Sequence, residues 1–320
     1  ADQTNAAVWG LLTPDADALD QSLLDRLRIP ASMLPSVVDS TGVIGEATAL
    51  PGAPPICGLA GDQQASLVGQ ACVEPGLGKI TFGTGGMLDV CVGPRPPFAT
   101  RGPGGTFPIV CWSQDGAATW GVEAVMLSAG TNVEWLRDDL GVIPDAASSA
   151  EVAASVPDTD GVTYVPALLG LGTPIWDYGA RGALLGLTRG TTSAHIVRAV
   201  LEGVAQRGAD LVEAAETDGA LRIDALRIDG GMSANPLFVQ ALADATQRPI
   251  EVSPVLEATT LGAGFLAGLA TGVWGTWGDL ASTWAPKVRV EPAGSVDRDR
   301  WHEAVERSRE WFADLSALDF

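Results

Sequence analysis

Basic residues are scarce in this chain: Lys and Arg number 19 against 39 Asp plus Glu, a formal net charge of −20. So acidic a surface argues against a nucleic-acid or anionic-membrane partner. A polyanionic ligand would need local donors, namely backbone amides, helix N-termini or a metal ion. Histidine is scarcer still, with only His195 and His302 in 320 residues. Neither a zinc centre nor a Ser-His-Asp triad is expected. The four cysteines, Cys57, Cys72, Cys91 and Cys111, form no C-x-x-C pair. They read as reduced, buried thiols of a cytoplasmic protein, there for packing. The chain lacks a Walker G-x-x-x-x-G-K-[ST], and no G-x-G-x-x-G follows a strand in a dinucleotide-binding unit, so neither a P-loop nor a nicotinamide enzyme is expected. No secretory n-region and h-region opens the sequence. The longest small and apolar run, residues 258–274, is interrupted by Gly and Thr and reads as a buried helix that falls short of a membrane span.

What is present suits a globular α/β protein. The length favours two domains, and 46% hydrophobic residues can build a sizeable core. Strand-like runs at residues 162–166, 221–228 and 249–253 alternate with helical patterns at 131–140, 193–217, 258–272 and 301–315. That alternation predicts a partly parallel sheet. The long helix is expected to begin at a Ser193 cap. A further helix is expected after Asn235, with Pro236 at its first position.

Chemistry concentrates in residues 57–87. An apolar run ending at Gly61 delivers Asp62, followed by Gln63 and Gln64. Asp62 is either a general base for a hydroxyl or the cap of the helix that starts there. Between two strand-like runs lies Gly83-Thr84-Gly85-Gly86, either a phosphate-binding loop or a plain hairpin turn. Gly231 and Asn235 stand between a strand and a helix, where ligands bind in open α/β sheets and where ordinary connecting loops also lie. Gly130 and Glu134 form a second helix entrance of that kind. Tryptophans 112, 120, 135 and 176 are expected in the core.

Several segments together resemble the FGGY carbohydrate kinases. They are Gly-Leu-Ala-Gly-Asp-Gln-Gln-Ala-Ser-Leu-Val-Gly-Gln (58–70), Thr-Phe-Gly-Thr-Gly (81–85), Ala-Gly-Thr-Asn-Val-Glu-Trp-Leu-Arg-Asp (129–138), Pro-Ala-Leu-Leu-Gly-Leu-Gly-Thr-Pro-Ile-Trp-Asp (166–177), Ala-Arg-Gly-Ala-Leu-Leu-Gly-Leu-Thr-Arg-Gly (180–190) and Asp-Gly-Gly-Met-Ser-Ala-Asn (229–235). The resemblance runs in order along nearly the whole chain and is strongest to the members that phosphorylate glycerol. It implies an actin-like ATPase (ribonuclease H-like) α/β fold. Residues 1–71 would be the remainder of the first, substrate-side domain and 72–320 the whole second, nucleotide-binding domain. It implies γ-phosphoryl transfer from ATP, with Mg²⁺, to a polyol or sugar hydroxyl, glycerol to glycerol 3-phosphate foremost. Asp62 would be the base, Gln63 and Met87 would meet the acceptor, and Gly83, Thr84, Gly130, Glu134, Gly231 and Asn235 would hold the nucleotide. Met87 replaces the Phe typical against glycerol, and Glu134 replaces the usual Gln. The family's N-terminal stretch, with its first phosphate hairpin, is not in this sequence, so little kinase activity is expected of the chain by itself. A kinase for another polyol or keto-sugar, and a non-catalytic nucleotide-binding module, are the alternatives. A small-molecule substrate is the expected partner; a homo-oligomer is compatible with the same reading.

Overall fold

The computed structural model of the protein describes residues 1–318. The chain opens with α1 (Gln3–Ala7), capped by Asp2, and α2 (Gln21–Leu27), capped by Asp20 and closed by Arg28 in the left-handed conformation. A hairpin of β1 (Thr41–Glu46) and β2 (Pro55–Gly58) leads to α3 (Asp62–Gly69). Four strands follow: β3 (Gly78–Phe82), β4 (Gly86–Gly93), β5 (Phe107–Gln114) and β6 (Ala117–Met126). Helices α4 (Thr131–Asp138) and α5 (Ser148–Ala154) precede a small pair, β7 (Thr163–Val165) and β8 (Ala183–Leu185). The rest is α6 (Ser193–Gly219), β9 (Leu226–Asp229), α7 (Pro236–Thr246), β10 (Ile250–Val252), α8 (Ala258–Ala270), α9 (Trp277–Ala281), β11 (Val288–Val290), α10 (Arg298–Ser308) and α11 (Ala313–Ser316).

Seven strands form the main sheet among the described residues, in the order β11-β10-β9-β3-β4-β6-β5. The pairs β10–β9 and β9–β3 are parallel; the others are antiparallel. Period-two alternation divides the side chains between two faces. Ile80, Phe82, Leu88, Val90, Val122, Ala124 and Ile228 join the core shared with α6 and α7, including Val200, Val204 and Leu242. Cys91, Ile109 and Cys111 on the opposite face pack under α3 and α8 with Leu67, Val68 and Leu266. All four cysteines are buried free thiols.

The small-residue character of α8 has a direct consequence. A Cβ on Gly262 would collide with the Ala65 carbonyl of α3, and one on Gly69 with the Ala258 carbonyl. The two helices therefore meet backbone against backbone, an approach only glycine permits. Although α3 lies before the expected division at residue 71, it packs directly on β4 and β5 of the sheet as well as on α8.

Two local expectations are corrected. Helix α6 is capped by Thr192, not Ser193: Thr192 is extended, and its amide donates to His195 Nδ1 at 3.0 Å. The imidazole takes the place that a Glu or Gln holds in a capping box. The closing helix expected over 301–315 is two helices. Arg309 turns extended, and the Glu310 amide donates instead to Asp177 Oδ2 at 2.8 Å. No helix among the described residues is long and apolar enough to cross a membrane.

Candidate functional site

Strands β3 and β9 are parallel neighbours, with Thr81 opposite Asp229, so both release their chains at the same end of the sheet. The turn after β3 is Gly83-Thr84-Gly85. Its carbonyls face α4: the Gly130 amide donates to Gly83 O at 2.8 Å and the Ala129 amide to Thr84 O at 2.9 Å. Trans peptides are planar, with N–H opposed to C=O, so the amides of Thr84 and Gly85 point away from α4. The entrance to α4 is itself fixed from below. Asn132 Nδ2 donates to Ser128 O and Ala129 O, and Tyr164 Oη donates to Asn132 Oδ1 at 2.8 Å.

A cleft opens at this point. It is lined by Gly83 and Thr84 of the turn, Gly130 and Glu134 of the α4 entrance, and Gly231 and Asn235 beyond β9. All six residues expected to hold the nucleotide thus share one cavity. Asn235 caps α7, with Oδ1 accepting from the Leu237 and Phe238 amides at 3.0 and 3.1 Å. Its Nδ2 donates to Ser149 Oγ at 3.0 Å, which draws α5 into the cleft wall. Glu134 is exposed.

The two glycines after β9 differ in kind. Gly230 has φ +85°, and a Cβ there would drive into the Phe82 backbone, so the fold requires glycine. Gly231 has no such φ, and a Cβ on it would meet nothing within 4 Å. Nothing in the fold calls for glycine at Gly231, as nothing does at Gly45 or Gly264; Gly231 differs from these in lining the cleft.

Asp62 is the first residue of α3 and is exposed; it is not part of the cleft lining. Its Oδ1 accepts from the Gln63 amide at 2.8 Å. The entry to its helix is held by the Gly61 amide, which donates to Thr4 Oγ1 at 2.8 Å. One turn along α3, Ser66 Oγ donates to Asp229 Oδ2 at 3.1 Å, tying the helix to the strand end that feeds Gly230 and Gly231. Gln63 Oε1 accepts from Lys79 Nζ at 2.6 Å. Met87 lies opposite Thr81 in the β3–β4 ladder, and Thr81 Oγ1 also accepts from Lys79. Asp62, Gln63 and Met87 are therefore gathered on the α3 side of β3 and β4.

Lys79 belongs to a row that the sequence does not advertise. Strand register places Arg289, Glu251, Arg227, Lys79, Asp89 and Glu123 side by side across six strands. Lys79 and Asp89 are fully buried, with Nζ 2.7 Å from Oδ2. Arg227 pairs with Glu251 at 3.5 Å and lies 3.7 Å over the Trp284 ring. Burial, then the negative charge of Asp89, pushes the Glu123 carboxyl up to about 8 against the opposing charge of Lys79. Glu123 consequently keeps its proton at neutral pH, leaving Lys79 balanced by Asp89.

Sequence reasoning missed Phe82, Val133, Arg137, Ala146, Ser149, Leu201 and Met232 in the cleft lining. Arg137 had a usable signal, since it lies three residues beyond Glu134 on one helix face. Ser149 had none. Away from this end, Asp210, Glu213 and His302 bring their ligand atoms within 4.8 Å of one another. Arg207 and Arg298 each reach Asp210 at 2.6 Å, and two guanidinium groups on the central carboxylate repel a cation. Burial would raise the Asp210 carboxyl, but contact with His302 and the charges of Arg207 and Arg298 hold it down to about 2.

Residues 78–271, more than half the chain, match the family model described as the FGGY family of carbohydrate kinases, C-terminal domain. The chain belongs to this family. It is 46% identical over 301 residues to a glycerol kinase of Aromatoleum aromaticum, covering 92% of this chain and 60% of that one. It is 44% identical over 299 residues to glycerol kinase 2 of Thermotoga maritima, covering 91% and 60%. Among solved structures, it is similar to the Plasmodium falciparum glycerol kinase crystallised with ADP, at TM-score 0.87 and 30% identity over 96% of this chain and 63% of that one. The chain thus spans about three fifths of the length of the curated relatives it matches. Its α/β architecture is the actin-like ATPase fold of FGGY kinases.

Proposed function

We propose that this chain carries the nucleotide site and the catalytic acid–base residue of an ATP-dependent kinase that phosphorylates glycerol. The cleft lined by Gly83, Thr84, Gly130, Glu134, Gly231 and Asn235 carries the reading, because it gathers two strand-end loops and a helix entrance, with Gly231 leaving its backbone open to the cavity. Hairpin amides turned from α4 supply phosphate donors on a chain with few cations. Division of the protein into residues 1–71, on the acceptor side, and 72–320, on the nucleotide side, belongs to the same proposal. The relatives named as glycerol kinases support glycerol over other acceptors.

In this mechanism Asp62 accepts the proton of the acceptor hydroxyl as the hydroxyl oxygen bonds to the γ-phosphorus, and the bond from that phosphorus to the bridging oxygen of ADP breaks. Gln63 orients the hydroxyl, and Met87 packs against the carbon skeleton. A magnesium ion would find one unpaired carboxylate oxygen at this end: Asp229 Oδ1 is buried without a hydrogen-bond partner and would hold the ion directly or through water, which leaves Asp62 to act as the base. When bound, it would offset phosphate charge. The test is transfer of labelled phosphate from ATP to glycerol by the full-length gene product, with xylulose offered in parallel. Label on glycerol supports the reading, and label on xylulose alone reassigns the acceptor. Nucleotide binding without transfer to either leaves a non-catalytic module.

A further inference from the structure

The buried ammonium of Lys79 has three N–H donors and no lone pair. Its Nζ donates to Gln63 Oε1 at 2.6 Å and to Thr81 Oγ1 at 3.0 Å, and lies 2.7 Å from Asp89 Oδ2 as an ion pair. Two of these partners are on its own sheet. The third reaches across to α3 and fixes the residue beside Asp62. Because an ammonium only donates, the Gln63 atom facing it has to be the amide oxygen. The amide NH₂, the other arm, then remains for the acceptor side.

We propose that Lys79 is a positioning residue that locks Gln63 so that it presents only hydrogen-bond donors to the acceptor hydroxyl. This rests on the kinase reading above and deepens it. The consequence is directional. A hydroxyl gripped at its oxygen by the Gln63 NH₂ has its own O–H left to donate, and the carboxylate of Asp62 next in the chain is the acceptor. Donor and acceptor side by side orient the proton toward the base before transfer begins. A freely flipping amide would instead present its oxygen half the time and compete with Asp62 for the same proton. The lock also favours an acceptor with a hydroxyl over one presenting an amine cation at that position, which an NH₂ group would repel.

The experiment compares steady-state constants for ATP and glycerol in the full-length protein. Gln63→Glu keeps an oxygen toward Lys79 but replaces the NH₂ with a second oxygen. It is expected to melt no lower than the parent, to raise KM for glycerol roughly tenfold and to leave KM for ATP within about twofold. Lys79→Met, which frees the amide, is expected to raise KM for glycerol roughly three- to tenfold with KM for ATP again unchanged. Combining Lys79→Met with Gln63→Ala should add nothing beyond Gln63→Ala alone. Asp89→Asn retains the Lys79–Gln63 contact and should leave KM for glycerol near the parent value. If Lys79→Met does not fold, the Gln63→Glu result decides. An unchanged glycerol KM in Gln63→Glu overturns the proposal, as does a Lys79→Met protein that folds and loses affinity for both substrates alike. A parent protein that transfers no phosphate to glycerol overturns the kinase reading itself, and this proposal with it.

Discussion

Ser66 and Asp229, 163 residues apart in sequence, meet through a 3.1 Å hydrogen bond from Ser66 Oγ to Asp229 Oδ2. It joins the helix headed by Asp62 to the strand end that feeds Gly230 and Gly231. Asp229 Oδ1 has no hydrogen-bond partner, so the serine on Oδ2 is the principal donor to a buried carboxylate. Ser66→Ala should therefore lower stability by about 1–3 kcal/mol, the cost of stranding a buried acceptor. Urea unfolding measures it, and a loss below about 0.5 kcal/mol would mean that water replaces the serine.

The two glycines after β9 should respond oppositely. Gly231→Ala is expected to leave the melting temperature near that of the parent and to weaken ADP binding, since its Cβ enters open cleft space. Gly230→Ala should destabilise by more than about 1 kcal/mol, because φ +85° and the Phe82 backbone both exclude a side chain. Calorimetric titration with ADP beside thermal melting separates the two. An alanine at 231 that binds ADP as tightly as glycine would remove the main support for the nucleotide site.

Asp62 is exposed, and its side-chain bond is to the adjacent Gln63 amide, which an Asn oxygen can also accept. Asp62→Asn should change stability by less than about 0.5 kcal/mol. In the full-length protein it should abolish transfer of labelled phosphate to glycerol and leave ADP affinity largely intact. Residual transfer within tenfold of the parent would mean that another group takes the proton.

Glu123 gives a pH dependence whose sign can be worked out. Burial and the charge of Asp89 raise its carboxyl from 4.5 to about 8, so between these values the folded protein holds a proton that the unfolded chain has released. Stability from this group is full below about 4.5 and declines as pH rises toward 8. Melting temperature should fall over that window more steeply for the parent than for Glu123→Gln, which cannot ionise. Parallel curves would show that Glu123 is already ionised at neutral pH.

Much of the molecule was legible in the sequence because its signals are local. The apolar spacing at Val200, Val204 and Leu211 marks α6, and Asn235-Pro236 marks the start of α7 with the cap in place. The motif glycines and the Asp62-Gln63 pair likewise announced themselves within a few residues. Elsewhere the signal was too short or borrowed from a distant partner. Helix α5 is seven residues with Val152 as its one large apolar residue, too little to announce itself, and Asn235 reaches Ser149 on it. The Thr192 cap was hidden because a histidine side chain rarely completes a capping box.

The amino-acid order by itself determined most of the longer helices and strands, the buried thiols and six of the residues that line the cleft. Only the tertiary structure decided that Arg289, Glu251, Arg227, Lys79, Asp89 and Glu123 form one row, and that Lys79 reaches Gln63. The reason is register. A one-residue slip of any strand would move its charge to the opposite face, and what fixes register is the packing of helices far away in the chain, which no local pattern encodes.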